Sequence, residues 1–247
     1  MDLRYIVFDT ETTGVGKDKQ AVEIAMVEID SNMVVQGEAS SLIKPTCPIS
    51  PEAEAVHGIS MDMLKDCPTI EEWVRDILGG RLEGDIVLIG HRIGFDRPLF
   101  APIGDAKFAL DTLVLAQTYV PESPNKKLDT LKEFLSLPGG GESHRAMADV
   151  TTCLQLLQHI VPMTGRTLEV LSTVPYTVIH RMPWGKHEGK LLLELPEDYR
   201  RWLLKLEDLD HNLRRSLELV AAADVPLNVG RSSGTARRIF IPKRTLK

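Results

Sequence analysis

The feature that most constrains this chain is the stretch Tyr5-Ile6-Val7-Phe8-Asp9-Thr10-Glu11-Thr12-Thr13-Gly14. Tyr5 to Phe8 are consecutive apolar residues of strand-forming type, which suits a strand buried on both faces. Asp9 and Glu11 follow two residues apart, and along a strand such positions share a face. Two carboxylates side by side at the end of a buried strand repel each other. A divalent cation such as Mg²⁺ or Mn²⁺, which prefers oxygen ligands, relieves that repulsion. Gly14 allows a sharp turn, or the close approach of a ligand. A strand that simply ends in a polar, N-capping turn carries the same pair, so the pair gains meaning only from partners elsewhere.

The 247 residues allow one large domain, or one domain with a small appendage. No apolar run is long enough to span a bilayer, so no membrane partner is expected. Met1-Asp2-Leu3-Arg4 leads straight into a strand, without the charged and apolar regions of a signal peptide. Cys47, Cys67 and Cys153 are far apart and lack metal-ligand spacing, which fits a reduced, cytoplasmic setting. The net charge of −6 hides an asymmetry: residues 1–175 hold 15 Lys+Arg against 26 Asp+Glu, and residues 176–247 hold 14 against 9. An acidic body with a basic C-terminal part raises the question of nucleic acid. A solvated basic surface would look the same.

The order of expected elements is three strands, helices, strand, helix, strand, helices, which suits an α/β fold with a mixed sheet flanked by helices. Strands are expected from Tyr5 to Phe8, ending in the Asp9–Glu11 pair, and at 22–30, 34–44, 85–90 and 108–110. Helices are expected at 52–56, stopped by Gly58; at 69–78, capped by Thr69; at 95–101; from Asp111 or Thr112 to 120; at 128–135; and at 146–161, stopped by Pro162. Gly139 to Gly141 read as a flexible connection. After about residue 174 the character changes. Strands at 176–181 and 191–195 and helices at 196–206 and 212–222 suggest a small α+β module at 175–222 that docks on the main domain. Trp184 and Trp202 read as its core anchors. Residues 223–247 read as a basic tail, expected to be poorly ordered without a partner.

Two further acids lie where they could join Asp9 and Glu11. Asp96, in His91-Arg92-Ile93-Gly94-Phe95-Asp96, follows a buried strand and opens a helix. Asp149, in His144-Arg145-Ala146-Met147-Ala148-Asp149, lies in the first turn of the long helix. Each could equally be a helix-terminal carboxylate favoured by the dipole. Five residues on one helix are about 140° apart. His144 is therefore expected on the loop that enters the helix, where it could act as a general base.

FDTETTG, HRIGFD and HRAMAD, in this order, resemble the three motifs of the DEDDh 3′→5′ exonucleases, a branch of the RNase H-like fold. Val56-His57-Gly58-Ile59-Ser60 resembles a His-Gly-Ile segment that many members carry between the first two motifs. The resemblance covers about residues 1–165, the expected exonuclease domain. Some members also carry a segment similar to Trp184-Gly185-Lys186-His187-Glu188-Gly189-Lys190 and Asp198-Tyr199-Arg200-Arg201-Trp202-Leu203, extending it to about residue 220. It implies a five-stranded RNase H-like sheet. Asp9, Glu11, Asp96 and Asp149 would hold two ions, Mg²⁺ or Mn²⁺, about 3.5–4 Å apart, and His144 would be the base. The substrate would be the 3′-end of DNA, single-stranded or frayed, cut to 5′-mononucleotides. By the same resemblance Thr12 and Thr13 meet the terminal 3′-hydroxyl, Val15 wedges against the terminal base, and His57, Ile59 and Phe95 pack the terminal nucleotide. Arg92 replaces the usual Asn of the second motif, where it could bind a phosphate. An exoribonuclease of the same fold, or a nucleic-acid-binding adaptor with a residual site, are the alternatives.

Overall fold

The computed structural model describes residues 3–141, 144–173, 181–206 and 208–223. The strands are β1 (Leu3–Thr12), β2 (Ala21–Ile29), β3 (Val35–Leu42), β4 (Leu82–Gly90) and β5 (Gly104–Asp111). The helices are α1 (Pro51–His57), α2 (Met61–Leu64), α3 (Ile70–Asp76), α4 (Arg97–Phe100), α5 (Thr112–Tyr119), α6 (Leu128–Phe134), α7 (Ala146–Thr164), α8 (Leu168–Thr173), α9 (Glu197–Leu203) and α10 (His211–Ala223).

The five strands form one mixed sheet in the order β3-β2-β1-β4-β5. β1 to β3 are an antiparallel meander, and β1, β4 and β5 run parallel. This is the RNase H-like sheet with helices packed on it. β1 is central, and its period-2 alternation divides the core. Tyr5 and Val7 face α5, α6 and α7, in a cluster with Val87, Ile89, Leu115, Leu131, Val150 and Leu157. Ile6 and Phe8 face the other layer, with Trp73, Leu88, Phe100 and Ile103. Phe8 and Phe100 meet edge to face, with ring centroids 5.2 Å apart. Burying each such side chain contributes about 1.5–3 kcal/mol, so the floor on which Asp9 and Glu11 sit is rigid.

Local chemistry explains most element ends. Thr69 and Glu72 form a reciprocal capping box on α3, and Gly58 ends α1 in the left-handed conformation. The Asp111 carboxylate caps α5 by accepting from the Leu113 N–H at 2.9 Å. The helix expected at 95–101 is a single turn, since the tight turn before Asp96 delays its start to Arg97 and Pro102 follows its end. Pro162 does not stop α7. It lies on the exposed face of the last turn, where the carbonyl it leaves unbonded can reach water, and Gly165 at φ 63° ends the helix instead.

The C-terminal segment differs more from expectation. Leu192–Glu194 is a 3-10 turn rather than a strand, and Arg181 pairs with Leu191 only as an isolated bridge. The strand expected at 176–181 falls, apart from Arg181, outside the described residues, as does the basic tail from 224. Met182, Leu192, Leu195, Leu203, Leu213 and Leu217 form a small core that includes Val114 of α5, so this segment is packed on the sheet domain. Trp184 and Trp202 are not its anchors: they are 41% and 49% exposed. No helix among the described residues is long and apolar enough to cross a membrane.

Candidate active site

Asp9 and Glu11 project from the C-terminal end of β1 on the face that α7 covers, following Tyr5 and Val7 by strand alternation. Asp96 reaches the same end of the strand from the turn after β4. That turn is tight because Gly90 lies against its neighbours: a Cβ there would come within 2.6 Å of Ile93 and 2.9 Å of the Phe8 carbonyl. Asp96 is 4% exposed, and its carboxylate accepts a 2.6 Å hydrogen bond from the Thr10 hydroxyl. Asp149 lies in the first turn of α7 and accepts from the backbone N–H of His144. Ligand atoms of Glu11, His144 and Asp149 lie within 4.8 Å of one another. The loop position expected for His144 is observed. Its backbone is left-handed, φ 61°, and its Nε2 is 3.9 Å from Asp129 Oδ2.

The start of α7 is fixed by a residue that the sequence reading passed over. Glu23 pairs directly opposite Glu11 in the β1–β2 register and is 7% exposed. Its carboxylate accepts from Arg145 Nη2 at 2.8 Å, from Arg145 Nε at 3.2 Å and from the Ala146 N–H at 3.0 Å. A carboxylate on a helix N-terminus is favoured by both hydrogen bonding and the dipole. The signal was present, since Glu23 is an acid inside an otherwise apolar stretch of β2. The connection before His144 is less free than its glycines suggest. Gly139 exchanges hydrogen bonds with the Gln155 side chain, and Gly140 lies so close to Thr151 that a Cβ would meet it at 2.5 Å.

Electrostatics identify what this cluster suits. Burial, then the charges of Asp96, Asp149 and Glu11, push the Asp9 carboxyl well above its usual range. Burial and the charge of Asp149 push Glu11 to about 8. Asp96 and Asp149 are each pushed to about 6, mainly by burial. Four acids that resist ionisation together are a poor structural device by themselves and a fitting donor set for hard divalent cations.

A pocket of about 450 Å³ lies beside the acids, lined by Glu11, Thr12, Val15, His57 and Phe95 among others. Val15 is 89% exposed at its rim. Lys19 sits over the Phe95 ring at 4.1 Å. His57 does not act as a base here. Its Nδ1 accepts from the Ile59 N–H at 3.0 Å, which leaves the proton on Nε2, 3.2 Å from the Thr12 carbonyl. Two expected contacts fall elsewhere. Ile59 is 1% exposed, packed with Val22, Ile49 and Leu64, and has no face for a ligand. Thr13 is buried, and its hydroxyl accepts from the Gln20 N–H and from Cys47, which fixes the turn. Arg92 is exposed on the other side of the acids. It is held at φ 69° by its N–H donating to Asp111, a buried carboxyl raised to about 6.

A mixed five-stranded sheet with clustered acids at the end of its central strand defines a nuclease of the RNase H-like class. The chain belongs to the family described as Exonuclease (RNase_T), matched over residues 6–157, and within it to the DEDDh 3′→5′ exonucleases. Residues 172–222 match a second family, described as "Putative quorum-sensing-regulated virulence factor". Exodeoxyribonuclease 10 of Escherichia coli K12 is 29% identical over 221 residues, 86% of this chain and 96% of that one. A PolC-type DNA polymerase III of Caldanaerobacter subterraneus is 30% identical over 62% of this chain but only 11% of its own length. The solved structure of Exonuclease X in complex with 5′ overhanging duplex DNA superposes with a TM-score of 0.54 at 30% identity, over 69% of this chain and 97% of that one. Exonuclease I of E. coli with a dT13 oligonucleotide shares the fold, at TM-score 0.55 and 18% identity over 66% of this chain and 43% of that one.

Proposed function

We propose that this exonuclease removes 5′-mononucleotides from the 3′-end of DNA, single-stranded or frayed, in the cytoplasm. Asp9, Glu11, Asp96 and Asp149 would hold two divalent ions, Mg²⁺ or Mn²⁺, with His144 as general base. We further assign residues 1–165 to the exonuclease domain, 175–222 to an appended module and 223–247 to a basic tail. The observation that carries the reading is the convergence of Glu11, His144 and Asp149 within 4.8 Å beside two further acids that resist ionisation.

Bound there, the ions supply positive charge to the scissile phosphate and acidify water. The chain does the rest. Asp9, whose carboxyl feels the charges of both Asp96 and Glu11, would hold both ions; Glu11 and Asp149, grouped with His144, would hold one, and Asp96, fixed by Thr10, the other. His144 would take the proton of the attacking water, with the Asp129 carboxylate as a counter-charge 3.9 Å from its Nε2. The pocket at Thr12, Val15, His57 and Phe95 receives the terminal nucleotide. There the His57 ring holds the Thr12 backbone towards it, and Val15 meets the last base at the rim.

DNA is favoured because the two relatives of about 30% identity that are matched over nearly their whole length are named for DNA. The test is a 5′-labelled strand offered as DNA and as RNA of equal sequence, with Mg²⁺, with Mn²⁺ and with EDTA. A ladder shortening from the 3′-end on DNA, abolished by EDTA, is expected. Faster loss of the RNA strand overturns the DNA assignment, and cutting of circular single strands overturns exonucleolytic action.

A further inference from the structure

The acids lie between two cavities. One is the terminal-nucleotide pocket, which includes Glu11. The other, of about 790 Å³, begins at His144 and Asp149 and runs between the sheet domain and the C-terminal segment. Glu11, His144 and Asp149 are within 4.8 Å of one another, so the two cavities meet at the acids. A strand whose last nucleotide fills the first cavity and whose scissile phosphate lies on the acids must leave through the second.

The walls of that second cavity suit a strand. Arg92 and Lys127 are exposed on the body side, and Arg181 lies on the C-terminal side with its guanidinium anchored to the Gly189 carbonyl at 2.8 Å. Trp184 lines the cleft and is 41% exposed, held by extended backbone before the turn at Gly185. A half-exposed indole, beside guanidinium and ammonium groups, offers a stacking face and phosphate contacts together. The buried Oε1 of Gln117, also in the lining, has no hydrogen-bond partner among the described residues, and an exocyclic amine of a base could supply one. Lys126 is committed to the Pro121 and Ser123 carbonyls. Glu188 and Asp129 also face the cleft, so its charge is mixed. The shared core around Val114 fixes this wall against the acids.

We infer that the C-terminal segment is part of the substrate site: the cleft between it and the acids holds the substrate strand on the 5′ side of the scissile phosphate, with Trp184 stacking on a base and Arg181 contacting a phosphate. The inference rests on the exonuclease reading above.

The experiment compares KM and kcat of the full chain on single-stranded DNA from two to sixteen nucleotides, for wild type, Trp184→Ala, Arg181→Ala and, as a control on the same segment, Leu193→Ser, whose side chain is 65% exposed outside the cleft. Wild-type KM is expected to fall with length. Trp184→Ala raises KM on the long strands about 10-fold, as loss of one stacked base does, and the factor shrinks towards the dinucleotide. Arg181→Ala lowers the slope of log KM against log salt by about 0.7, as loss of one single-strand phosphate contact does. Leu193→Ser moves neither. Equal losses at every length, or no loss, overturn the inference. Absence of turnover by wild type at all lengths refutes the exonuclease reading itself.

Discussion

Without divalent cations the protein should become less stable as pH rises from 5 to 8, the reverse of an ordinary carboxylate effect. Folded Glu11 keeps its proton to about pH 8, whereas in the unfolded chain the carboxyl titrates at 4.5. Between those values the folded state binds more protons, so its stability falls with rising pH; the contribution is complete below 4.5 and gone above about 8. At ~1.4 kcal/mol per pH unit the full interval amounts to about 5 kcal/mol. Glu11 is only half-buried, and solvent screening reduces this to about 2 kcal/mol. For a chain of this size that is a fall in Tm of roughly 4–8 °C. The assay is a set of thermal melts in EDTA at pH 5, 6, 7 and 8 for wild type and Glu11→Gln, repeated with excess Mg²⁺ or Mn²⁺. The variant has no carboxylate to ionise, so its Tm gains on wild type as pH rises. With metal, wild type recovers at pH 8 and the variant recovers less. Parallel curves for the two proteins in EDTA, or equal stabilisation of both by metal, would refute the reasoning.

Glu23→Ala removes the acceptor for Arg145 and for the Ala146 N–H, and should cost about 1–3 kcal/mol of stability in denaturant titration. It should also lower kcat, because the strand that frames Glu11 no longer pins the helix carrying Asp149. His144→Ala should lower kcat by about 10² to 10⁴ with little change in Tm, since the side chain is exposed; steady-state kinetics and a melt separate the two effects. Gly90→Ala forces a Cβ against Ile93 and the Phe8 carbonyl and should cost about 1–3 kcal/mol, read as a lower denaturation midpoint.

The sheet was legible because its strands carry strong local signals. Tyr5 to Phe8 had to be buried, and the Asp9–Glu11 spacing had to put both acids on one face. Asp96 and Asp149 were legible as acids at element ends, and the family motifs said that they meet. Three things were not legible, for physical reasons. Ile59 lies next to His57 in sequence, but the left-handed turn at Gly58 sends it inward, and such a turn hides which neighbour faces the ligand. Glu23 stood out as an acid within the strand expected at 22–30, but what it binds did not, because its partners Arg145 and Ala146 are more than 120 residues away. Trp184 and Trp202 looked like core because indoles usually are; in so small a segment the leucines suffice, and both rings are left at the surface.

The central claim is that the acids at the end of β1 work as one metal-dependent site at a 3′-end. The most direct measurement is mononucleotide release from a 5′-labelled single-stranded DNA in Mg²⁺ or Mn²⁺, for wild type and Asp9→Asn, a variant that keeps the shape of the side chain and removes its charge. Stepwise shortening from the 3′-end by wild type, at least 10³-fold slower with Asp9→Asn, is the expected result. Equal rates for the two proteins would contradict the account.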